Sequence, residues 1–580
     1  MRNILNTVVF NAFLCCGSAL LAADIAPDLD LSDETREHKV LVIFKQKPTA
    51  AHHHKVARHG GRFLRELGIV SGGNYQLSSR AIGELTNDPD VESIQPDREV
   101  HGMLDYTAAA VNASAAWNAG YTGKGIGVAV IDSGIMGAMI NNMSPNPVVV
   151  VEHDFTGQGV NDDWGHGTHV AGIIASKMNL SPYYTGLNET NRRQLKGIAP
   201  DVSLVDLKAL GKNGTGSDSN VIAALQWAVT NKATYNIRVI NLSIGRPMVV
   251  SYKQDPLCQA VEQAWKAGIV VVVAAGNFGR LNNAGNNGYA TITAPGNDPY
   301  VITVGATNTK GTTSRTDDVL ASYSSKGPTL IDHIVKPDLV APGNGVVSAA
   351  PVAAWDSGSG IFDLYGSTWV DIGYIWPPQT GPNTWFYKLS GTSMATPVVV
   401  GAVADLLQKT PSLTPDQVKA RLMKTAYKTF PNSSTATDPA TGATYTNYYD
   451  IFTVGAGYLD MLAAVNHTDL ATGNANSPAI SYSAGKATMT MPSGSTFTAG
   501  SSVTWGTSVT WGTSVTWGTS VLSSSSVIWG TSVIWGTTTT AGASVIWGTS
   551  TAATSGASVI WGSTSPTIVD AMGVLTNGDK

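Results

Sequence analysis

The sequence predicts an α/β protein: a doubly wound parallel sheet, preceded by a small α+β module and followed by a repetitive β-rich tail. From residue 127 to about residue 466, short β-branched apolar runs such as GVAVID, IRVINLSI and IVVVVAAG alternate with amphipathic helical patterns. Strands that are apolar along their whole length are covered on both faces, as in parallel sheets flanked by helices. In this architecture the active site lies at the carboxyl ends of the strands.

The composition excludes one large class of function. Of 580 residues, 43% are hydrophobic and only 13% are charged, about half the charged share of an average globular chain. The 36 basic and 41 acidic residues give a net charge of −5, which supplies no polycationic surface for a phosphate backbone. We therefore expect no nucleic-acid partner, and the length predicts several domains.

Residues 1–23 have the pattern of a secretory signal peptide. Arg2 is followed by an apolar run that Asn11 interrupts and by small residues, GSALLAA. A membrane span needs about 20 unbroken apolar residues, so export is expected instead of anchoring. Lipoprotein processing at LCCGS is a minor alternative. Cys15 and Cys16 lie in this segment, and Cys258 lies in an amphipathic helix pattern where a buried, inert thiol is expected.

Residues 24–104 form the small α+β module. It contains a strand pattern VLVIF, a helix candidate HHKVARHGGRFLREL, a polar turn VSGGN and a closing strand VESIQPD. Its three adjacent histidines, His52, His53 and His54, cannot all face one metal ion from a regular element, so a solvated patch is expected.

The end of the chain is repetitive. Residues 467–500 are interpreted as a linker and residues 501–580 as a tail in which SVTWGT and SVIWGT units recur, with no charged residue between Lys486 and Asp570. An extended repeat of even length places Val503, Trp505 and their equivalents on one face. We favour a self-packed β-solenoid that buries the indoles. The alternative is an exposed strip that contacts polysaccharide or a cell envelope.

Three segments place a reactive side chain where a strand ends or a helix begins. Asp132 ends the apolar strand VAVIDSGI, His166 lies between glycines in GHGTHVAG, and Ser393 opens a helix in GTSMATP. A serine hydroxyl needs a base within hydrogen-bond reach to become nucleophilic, and imidazole titrates near neutrality. A carboxylate beside the imidazole fixes its tautomer and stabilises the imidazolium. The rate of any reaction that uses this imidazole as its base is therefore expected to rise with pH near the reference histidine pKa of about 6.5.

These motifs, in this order, closely resemble those of the subtilisin-like serine proteases (subtilases, peptidase family S8). Further matches are GYTGKG, VINLSIG, AAGN, ASYSSKGP, KPDLVAPG and GAGYLDMLAAV, so the likeness covers about residues 107–466. The resemblance implies a catalytic domain at residues 105–466 with Asp132, His166 and Ser393 as the triad. It also implies that Asn277, in AAGN, donates to the oxyanion together with the backbone N–H of Ser393.

The resemblance also implies where a substrate binds. Ser243, Ile244 and Gly245, together with residues 211–216 around Gly214, resemble the family's two segments that pair with an extended peptide. Ala274, Ala275 and Gly276 would wall the side-chain pocket, with Thr293 near its base. Because Phe278 follows Asn277 where a charge would favour basic residues, a weak preference for apolar side chains is expected.

The sequence departs from the compact family pattern in two places. An insertion at residues 353–387 is rich in aromatic side chains and is interpreted either as a cleft extension or lid or as a self-packed cluster. Its aromatic residues include Trp355, Phe362, Tyr365, Trp369, Tyr374, Trp376, Trp385 and Phe386. The family's calcium loop is replaced by KMNLSPYYTGLNETNRRQ. Asp162 and Asp163 are candidate calcium ligands, with solvated loop carboxylates as the alternative. The chemistry needs no cofactor, and no metal ligand set is assigned.

The resemblance finally implies that residues 24–104 are a propeptide that assists folding, inhibits the enzyme and is cut off between residues 100 and 110. The chain is thus predicted to be a secreted, self-processing serine endopeptidase zymogen that acts on polypeptides. His169 is interpreted as structural, and His153 lacks the glycine context of His166. A secreted binding protein whose tail has the main role is the alternative from another class. An esterase is disfavoured because GTSMATP is not a G-x-S-x-G elbow.

Overall fold

Two units make up the chain, Met1–Val100 and His101–Lys580. The structure is a computed structural model and describes residues 23–25, 29, 31–67, 71–96, 103–137, 140, 148–177, 196–281, 287–351, 361, 369–371, 382–483, 486–495, 574–576 and 578–579. The predicted signal peptide and the Trp repeats therefore lie outside the described residues, apart from Ala23. Within the described residues, no helix is both long and apolar enough to cross a membrane.

The first unit is a five-stranded sheet with two helices. Its strand order is β1-β5-β2-β4-β3, and buried Val40, Phe44, Tyr75, Leu77 and Ile94 form part of its core. The elements in chain order are β1 (Asp24–Ile25), β2 (Glu37–Phe44), α1 (Ala50–Arg58), β3 (Arg62–Leu67), β4 (Gly72–Ser78), α2 (Ser79–Leu85) and β5 (Val91–Pro96).

The helix predicted for HHKVARHGGRFLREL ends earlier than expected. Gly60 takes φ +83° and Gly61 packs against Val56 and Leu77, so the chain turns there and RFLREL becomes strand β3. The histidines of α1 are also not one solvated patch. The backbone N–H of Thr49 donates to His52 Nδ1 at 3.1 Å, and His53 Nδ1 lies 2.7 Å from the Tyr75 hydroxyl.

The second unit is built on an eight-stranded sheet. Its order is β12-β11-β10-β9-β6-β8-β7, and β13 also pairs with β11. All pairings are parallel except that of β12 with β11. The strands are β6 (Gly127–Asp132), β7 (Val149–Asp154), β8 (Ser203–Lys208), β9 (Ile237–Leu242), β10 (Val270–Ala274), β11 (Ile302–Asn308), β12 (Val319–Leu320) and β13 (Leu339–Pro342). Every residue of β6, β10, β11 and β13 is buried, as apolar strands covered on both faces require.

Helices pack on this sheet. In chain order they are α3 (Met103–Ala110), α4 (Ala113–Asn118), α5 (His166–Ala175), α6 (Asp218–Thr230), α7 (Lys232–Tyr235), α8 (Pro256–Lys266), α9 (Thr392–Lys409), α10 (Pro415–Thr425) and α11 (Met461–Asn466). The long helix α9 packs against β9, β10, β11 and α5, while α6 packs against α8. Cys258 lies buried in α8 as a free thiol, and burial raises its pKa, so it is inert as expected.

Part of the aromatic insertion forms a small antiparallel sheet. Its order is β14-β16-β15, with β14 (Val346–Ala349), β15 (Trp369–Asp371) and β16 (Pro382–Leu389). Phe386 and Tyr387 are fully buried in the core of the second unit. These two aromatic residues are therefore core residues, and the other aromatic side chains of the insertion lie outside the described residues.

The stretch expected to be a linker is folded where the structure describes it. The hairpin of β19 (Ala479–Ser483) and β20 (Lys486–Thr490) follows the hairpin of β17 (Ser433–Thr437) and β18 (Thr444–Tyr448). Buried Ser477 donates to Asp338 Oδ1 at 2.6 Å, and Val335 N donates to the Pro478 carbonyl at 2.8 Å. Local composition predicts a linker here, but these partners lie more than a hundred residues away and fix the stretch to the domain.

The chain returns to the same unit after the repeats. Residues 574–576 form a helical turn, and residues 578–579 follow in an irregular conformation. Val574, Leu575 and Asp579 are buried. We call residues 574–576 and 578–579 the post-repeat segment. Because residues 486–495 and the post-repeat segment both belong to the second unit, the repeats are connected to that unit at both of their ends.

Candidate active site

The buried carboxylate of Asp132 ends the central strand β6 and holds a histidine. Its Oδ1 accepts a hydrogen bond from His166 Nδ1 at 2.7 Å and from Ser133 N at 2.8 Å. His166 is the first residue of α5, and the residue before it, Gly165, takes φ +99°. The side chain of Asp132 is fully buried and that of His166 is 8% exposed. A buried carboxylate requires such donors, and the helix start supplies the imidazole.

The pKa values of the two histidines of GHGTHVAG shift in opposite directions. Burial works against the charged form of His166, but the negative charge and the hydrogen bond of Asp132 outweigh it and raise the pKa of His166 above 6.5. Burial and the neighbouring His166 lower the pKa of His169 to about 3. His169 Nε2 donates to the Val346 carbonyl at 3.1 Å, and its ring meets that of Tyr387 edge-on at 4.7 Å. His169 is therefore a neutral core residue, in agreement with its interpretation as structural.

Asp162 joins the end of β6 to the start of α5 by hydrogen bonds and does not fit a calcium site. Its Oδ1 accepts from Ser133 Oγ and Gly165 N, both at 2.8 Å, and its Oδ2 accepts from Thr168 N at 2.8 Å and Oγ1 at 2.6 Å. Burial raises its pKa, and these donors oppose the rise. Because protein donors take both oxygens and the side chain is buried, the structure favours neither a calcium ligand nor a solvated loop carboxylate at Asp162.

Asp163, the other candidate calcium ligand, lies 3.9 Å from the ammonium of buried Lys208. In the part of the chain that the structure describes, no three His, Cys, Asp or Glu side chains are grouped so that they could hold a metal ion.

Ser393 is the second residue of α9 and lies against the end of β9. Its Oγ donates to the Ser243 carbonyl at 2.9 Å, and Ser243 Oγ donates back to the Ser393 carbonyl at 2.8 Å. Asn241 Nδ2 donates to Ser243 Oγ at 3.0 Å. The hydrogen bonds recorded for the described residues include none between Ser393 and His166, so the bond to Ser243 must break before Ser393 can donate to the imidazole.

The side-chain amide of Asn277 follows strand β10 and has a fixed orientation. Its Oδ1 accepts from Thr392 N at 2.8 Å and from Thr392 Oγ1 at 3.0 Å. A Cβ at Gly391 would lie 3.1 Å from the amide nitrogen, so the amide is close to the residue before Thr392. Thr392 Oγ1 also accepts from Gly276 N at 3.1 Å, so one threonine fixes the segment that follows β10 to the start of α9. The sequence analysis missed this role of Thr392, although its position between Gly391 and Ser393 is a usable signal.

The residues predicted to form the side-chain pocket, Gly276 and Thr293 among them, lie next to one another. A Cβ at Gly276, where φ is +107°, would lie 2.8 Å from both Thr293 Cγ2 and Ser325 Oγ, and a Cβ at Gly245 would lie 2.5 Å from Thr293 Oγ1. Thr293 N donates to the Ala275 carbonyl at 3.0 Å. Ser325 was missed by the sequence analysis. None of these residues carries a charge.

The two predicted peptide-pairing segments differ. The backbone groups of Ile244 and Gly245 take part in none of the hydrogen bonds recorded for the described residues. The turn at residues 211–216 is closed by bonds from Gly211 N to Thr215 O at 2.8 Å and from Gly214 N to Gly211 O at 2.9 Å. A Cβ at Gly214 would collide with the Trp164 ring at 2.4 Å.

Comparison with known proteins decides the family. The model of the subtilase family of S8 peptidases matches residues 123–450. Serine protease AprX of Bacillus subtilis (strain 168) is 35% identical over 352 residues, 58% of this chain and 70% of that protein. Subtilisin E of the same strain is 32% identical over 400 residues, 67% of this chain and 85% of that protein. The chain belongs to the subtilase family.

Other relatives agree with this result. An alkaline protease of Alkalihalobacillus alcalophilus is 32% identical over 366 residues, 63% of this chain and 76% of that protein. Membership confirms the predicted doubly wound α/β fold and the predicted serine endopeptidase activity on polypeptides. It extends over the segments that carry Asp132, His166, Asn277 and Ser393.

The contribution of the Asp162 hydrogen bonds can be measured as a change in the free energy of unfolding. In Asp162→Asn, an amide nitrogen replaces one acceptor oxygen, so the free energy of unfolding is expected to fall by about 1.5–3 kcal/mol. Urea unfolding in the Ser393→Ala background, which is designed to avoid self-digestion, gives this value. Asp163→Asn is the matched control, because its side chain is 34% exposed, and less than about 1 kcal/mol is expected there. A difference that disappears when EDTA is added would instead identify Asp162 as a calcium ligand.

Proposed function

We propose that this subtilase is a secreted endopeptidase, made as a self-processing zymogen, with Ser393 as nucleophile, His166 as base and Asp132 as the orienting carboxylate. The observation that carries the proposal is the buried 2.7 Å hydrogen bond from His166 Nδ1 to Asp132 Oδ1. Because Nδ1 carries the proton in that bond, Nε2 of the neutral ring has the free lone pair that a base needs.

In the proposed reaction, Ser393 Oγ leaves its bond to Ser243 and gives its proton to His166 Nε2 as it attacks the scissile carbonyl carbon. The carbonyl oxygen becomes an oxyanion, and the imidazolium then protonates the departing amine as the C–N bond breaks. Water hydrolyses the acyl-enzyme by the same steps in the second half-reaction. No cofactor takes part.

Asn277 and the backbone N–H of Ser393 are the proposed oxyanion donors. The two hydrogen bonds from Thr392 to Asn277 Oδ1 support this role, because they leave the amide nitrogen as the group available to a ligand. Such donors act without reorganisation only when they are fixed before the reaction begins.

The substrate is proposed to be an extended polypeptide. The unpaired backbone groups of Ile244 and Gly245 can accept it as an added strand. The neutral surroundings of Gly276 and Thr293 favour an uncharged side chain. The closed turn at residues 211–216 offers fewer free backbone groups, so the segment at residues 243–245 is the main contact.

The part of the first unit that follows the signal peptide, from residue 24 onward, is proposed to be the propeptide and the enzyme's own inhibitor. Its separate core supports this assignment. The helix α3 (Met103–Ala110) belongs to the second unit and buries Thr107 and Ala110. The cut is therefore proposed to fall before α3, in residues 97–102. Export directed by residues 1–23 completes the proposal.

Removal of the nucleophile tests the proposal directly. Ser393→Ala is expected to abolish hydrolysis of denatured casein and to accumulate the uncut chain, because the same serine performs the maturation cut. Intact mass and N-terminal sequencing of the secreted product measure the second effect. Retained activity, or normal processing in a protease-free host, would contradict the assignment.

The orientation of Asn277 gives a graded test. Asn277→Ala is expected to lower kcat by about 10²–10³ with little change in KM; the principle behind this range was established on a subtilisin. Thr392→Val removes one of the two hydrogen bonds that hold the amide and is expected to lower kcat by about tenfold, with KM again little changed. Thr392→Ser keeps the hydroxyl and is the matched control. Equal kcat values for the two Thr392 variants would exclude the orienting role.

The pH profile reports the Asp132–His166 pair. His166 acts as a base only when neutral, so kcat/KM is expected to rise with pH and to reach half its plateau above pH 6.5, since Asp132 raises the pKa of His166. This expected midpoint is higher than the one near the reference histidine pKa of about 6.5 that the sequence alone predicts. In Asp132→Asn the charge is lost and burial dominates, so the midpoint should move to lower pH. A peptide substrate without ionisable groups is needed, and a wild-type midpoint at or below 6.5 would be inconsistent with the pair.

A further inference from the structure

The post-repeat segment ends in a buried ion pair beside the catalytic helix. The carboxylate of Asp579 is fully buried and accepts from Ser322 N at 2.7 Å, Ser322 Oγ at 2.6 Å and Arg280 Nη2 at 2.9 Å. Arg280 Nη2 also donates to the Gly578 carbonyl at 2.8 Å. A buried ion pair adds little net stability, because the cost of desolvating the charges offsets their attraction. Val574 and Leu575 supply the apolar burial, and Asp579 fixes where the segment stops.

The same segment is hydrogen-bonded to the chain just before the nucleophile. Ser390 N donates to the Leu575 carbonyl at 2.8 Å, and Asn344 exchanges two bonds with the backbone of Asp579 at 2.7 and 3.0 Å. Gly578 takes φ +61°, and a Cβ there would lie 2.3 Å from Ser390 Oγ. The fit at Ser390 therefore leaves no room for a side chain at position 578.

Two of the segment's partners lie three positions in sequence from proposed catalytic residues. Arg280 lies three residues after Asn277, and Ser390 lies three residues before Ser393. Next to Ser390, Gly391 N donates to the Gly343 carbonyl at 2.8 Å, and the Tyr323 hydroxyl donates to the same oxygen at 3.0 Å. The post-repeat segment thus contacts the chain close to both Asn277 and Ser393.

We propose that the post-repeat segment is a positioning element that holds the Asn277 segment against the Ser393 segment, so that catalysis depends on residues beyond the repeats. The inference rests on the proposed roles of Ser393 and Asn277. The post-repeat segment has no recorded hydrogen bond to Asp132 or His166 among the described residues. The segment should therefore affect the turnover rate and leave the base unchanged.

The test compares two glycines of similar backbone conformation in the full-length chain. Gly578→Ala places a methyl group against Ser390, whereas a Cβ at Gly120, where φ is +89°, meets no atom within 4 Å. Both variants carry the strain of an alanine at positive φ, so Gly120→Ala controls for it. The concentration of active enzyme is titrated with an organophosphorus fluoride that labels the nucleophilic serine.

Gly578→Ala is expected to lower kcat per titrated site by about 10–100-fold, as misplacement of catalytic groups does. KM should stay within about twofold, the pH midpoint should not move, and Gly120→Ala should keep wild-type kcat. Asp579→Asn is nearly isosteric but has one acceptor oxygen fewer, so it should lower kcat in the same way. This second variant keeps the test possible if Gly578→Ala does not fold.

Equal kcat per titrated site in Asp579→Asn, Gly120→Ala and wild type, whatever their Tm values, would overturn the positioning role. A shifted pH midpoint would also overturn it, because the effect would then act through His166. An active Ser393→Ala variant would instead overturn the proposed function itself.

Discussion

The structure depends on one buried hydrogen bond, that between the carboxylate of Asp132 and the imidazole of His166. A carboxylate without exposure to water at the end of a central strand is tolerated only if donors meet it. The parallel sheet brings the end of β6 next to the start of α5, where His166 is the first residue. The charge of Asp132 then decides the behaviour of the ring, since burial alone would lower the pKa of His166.

Around this bond, positions are fixed by groups that do not react. Asp162 accepts four hydrogen bonds from the loop that begins α5, and Thr392 holds the amide of Asn277 with two. The bonds to Asp162 hold the chain on either side of His166, and those from Thr392 hold the side chain of Asn277. Ser393, by contrast, donates to the Ser243 carbonyl, and in the proposed mechanism this hydrogen bond breaks before the serine reacts.

The sequence predicts those parts of the molecule that local pattern determines. The strand at Asp132, the helix starts at His166 and Ser393, and the strand before Asn277 all follow from apolar runs and glycines. Features set by distant partners were not predicted. The strand at residues 62–67 depends on pairing with β4, and residues 467–500 depend on a bond from Ser477 to Asp338. A composition rich in small polar residues predicts a linker in such a stretch, because composition does not record which groups are buried.

The most distant partners are those of the post-repeat segment, where Asp579 meets Arg280 across 299 positions of sequence. Local sequence pattern cannot predict a contact over such a separation, because the residues around Asp579 carry no record of Arg280, and those around Arg280 carry no record of Asp579. The same holds for Ser390 and Leu575, whose backbone hydrogen bond appears only once the chain is folded. Motifs therefore locate the proposed catalytic residues, whereas only the fold shows which distant segment is hydrogen-bonded beside them.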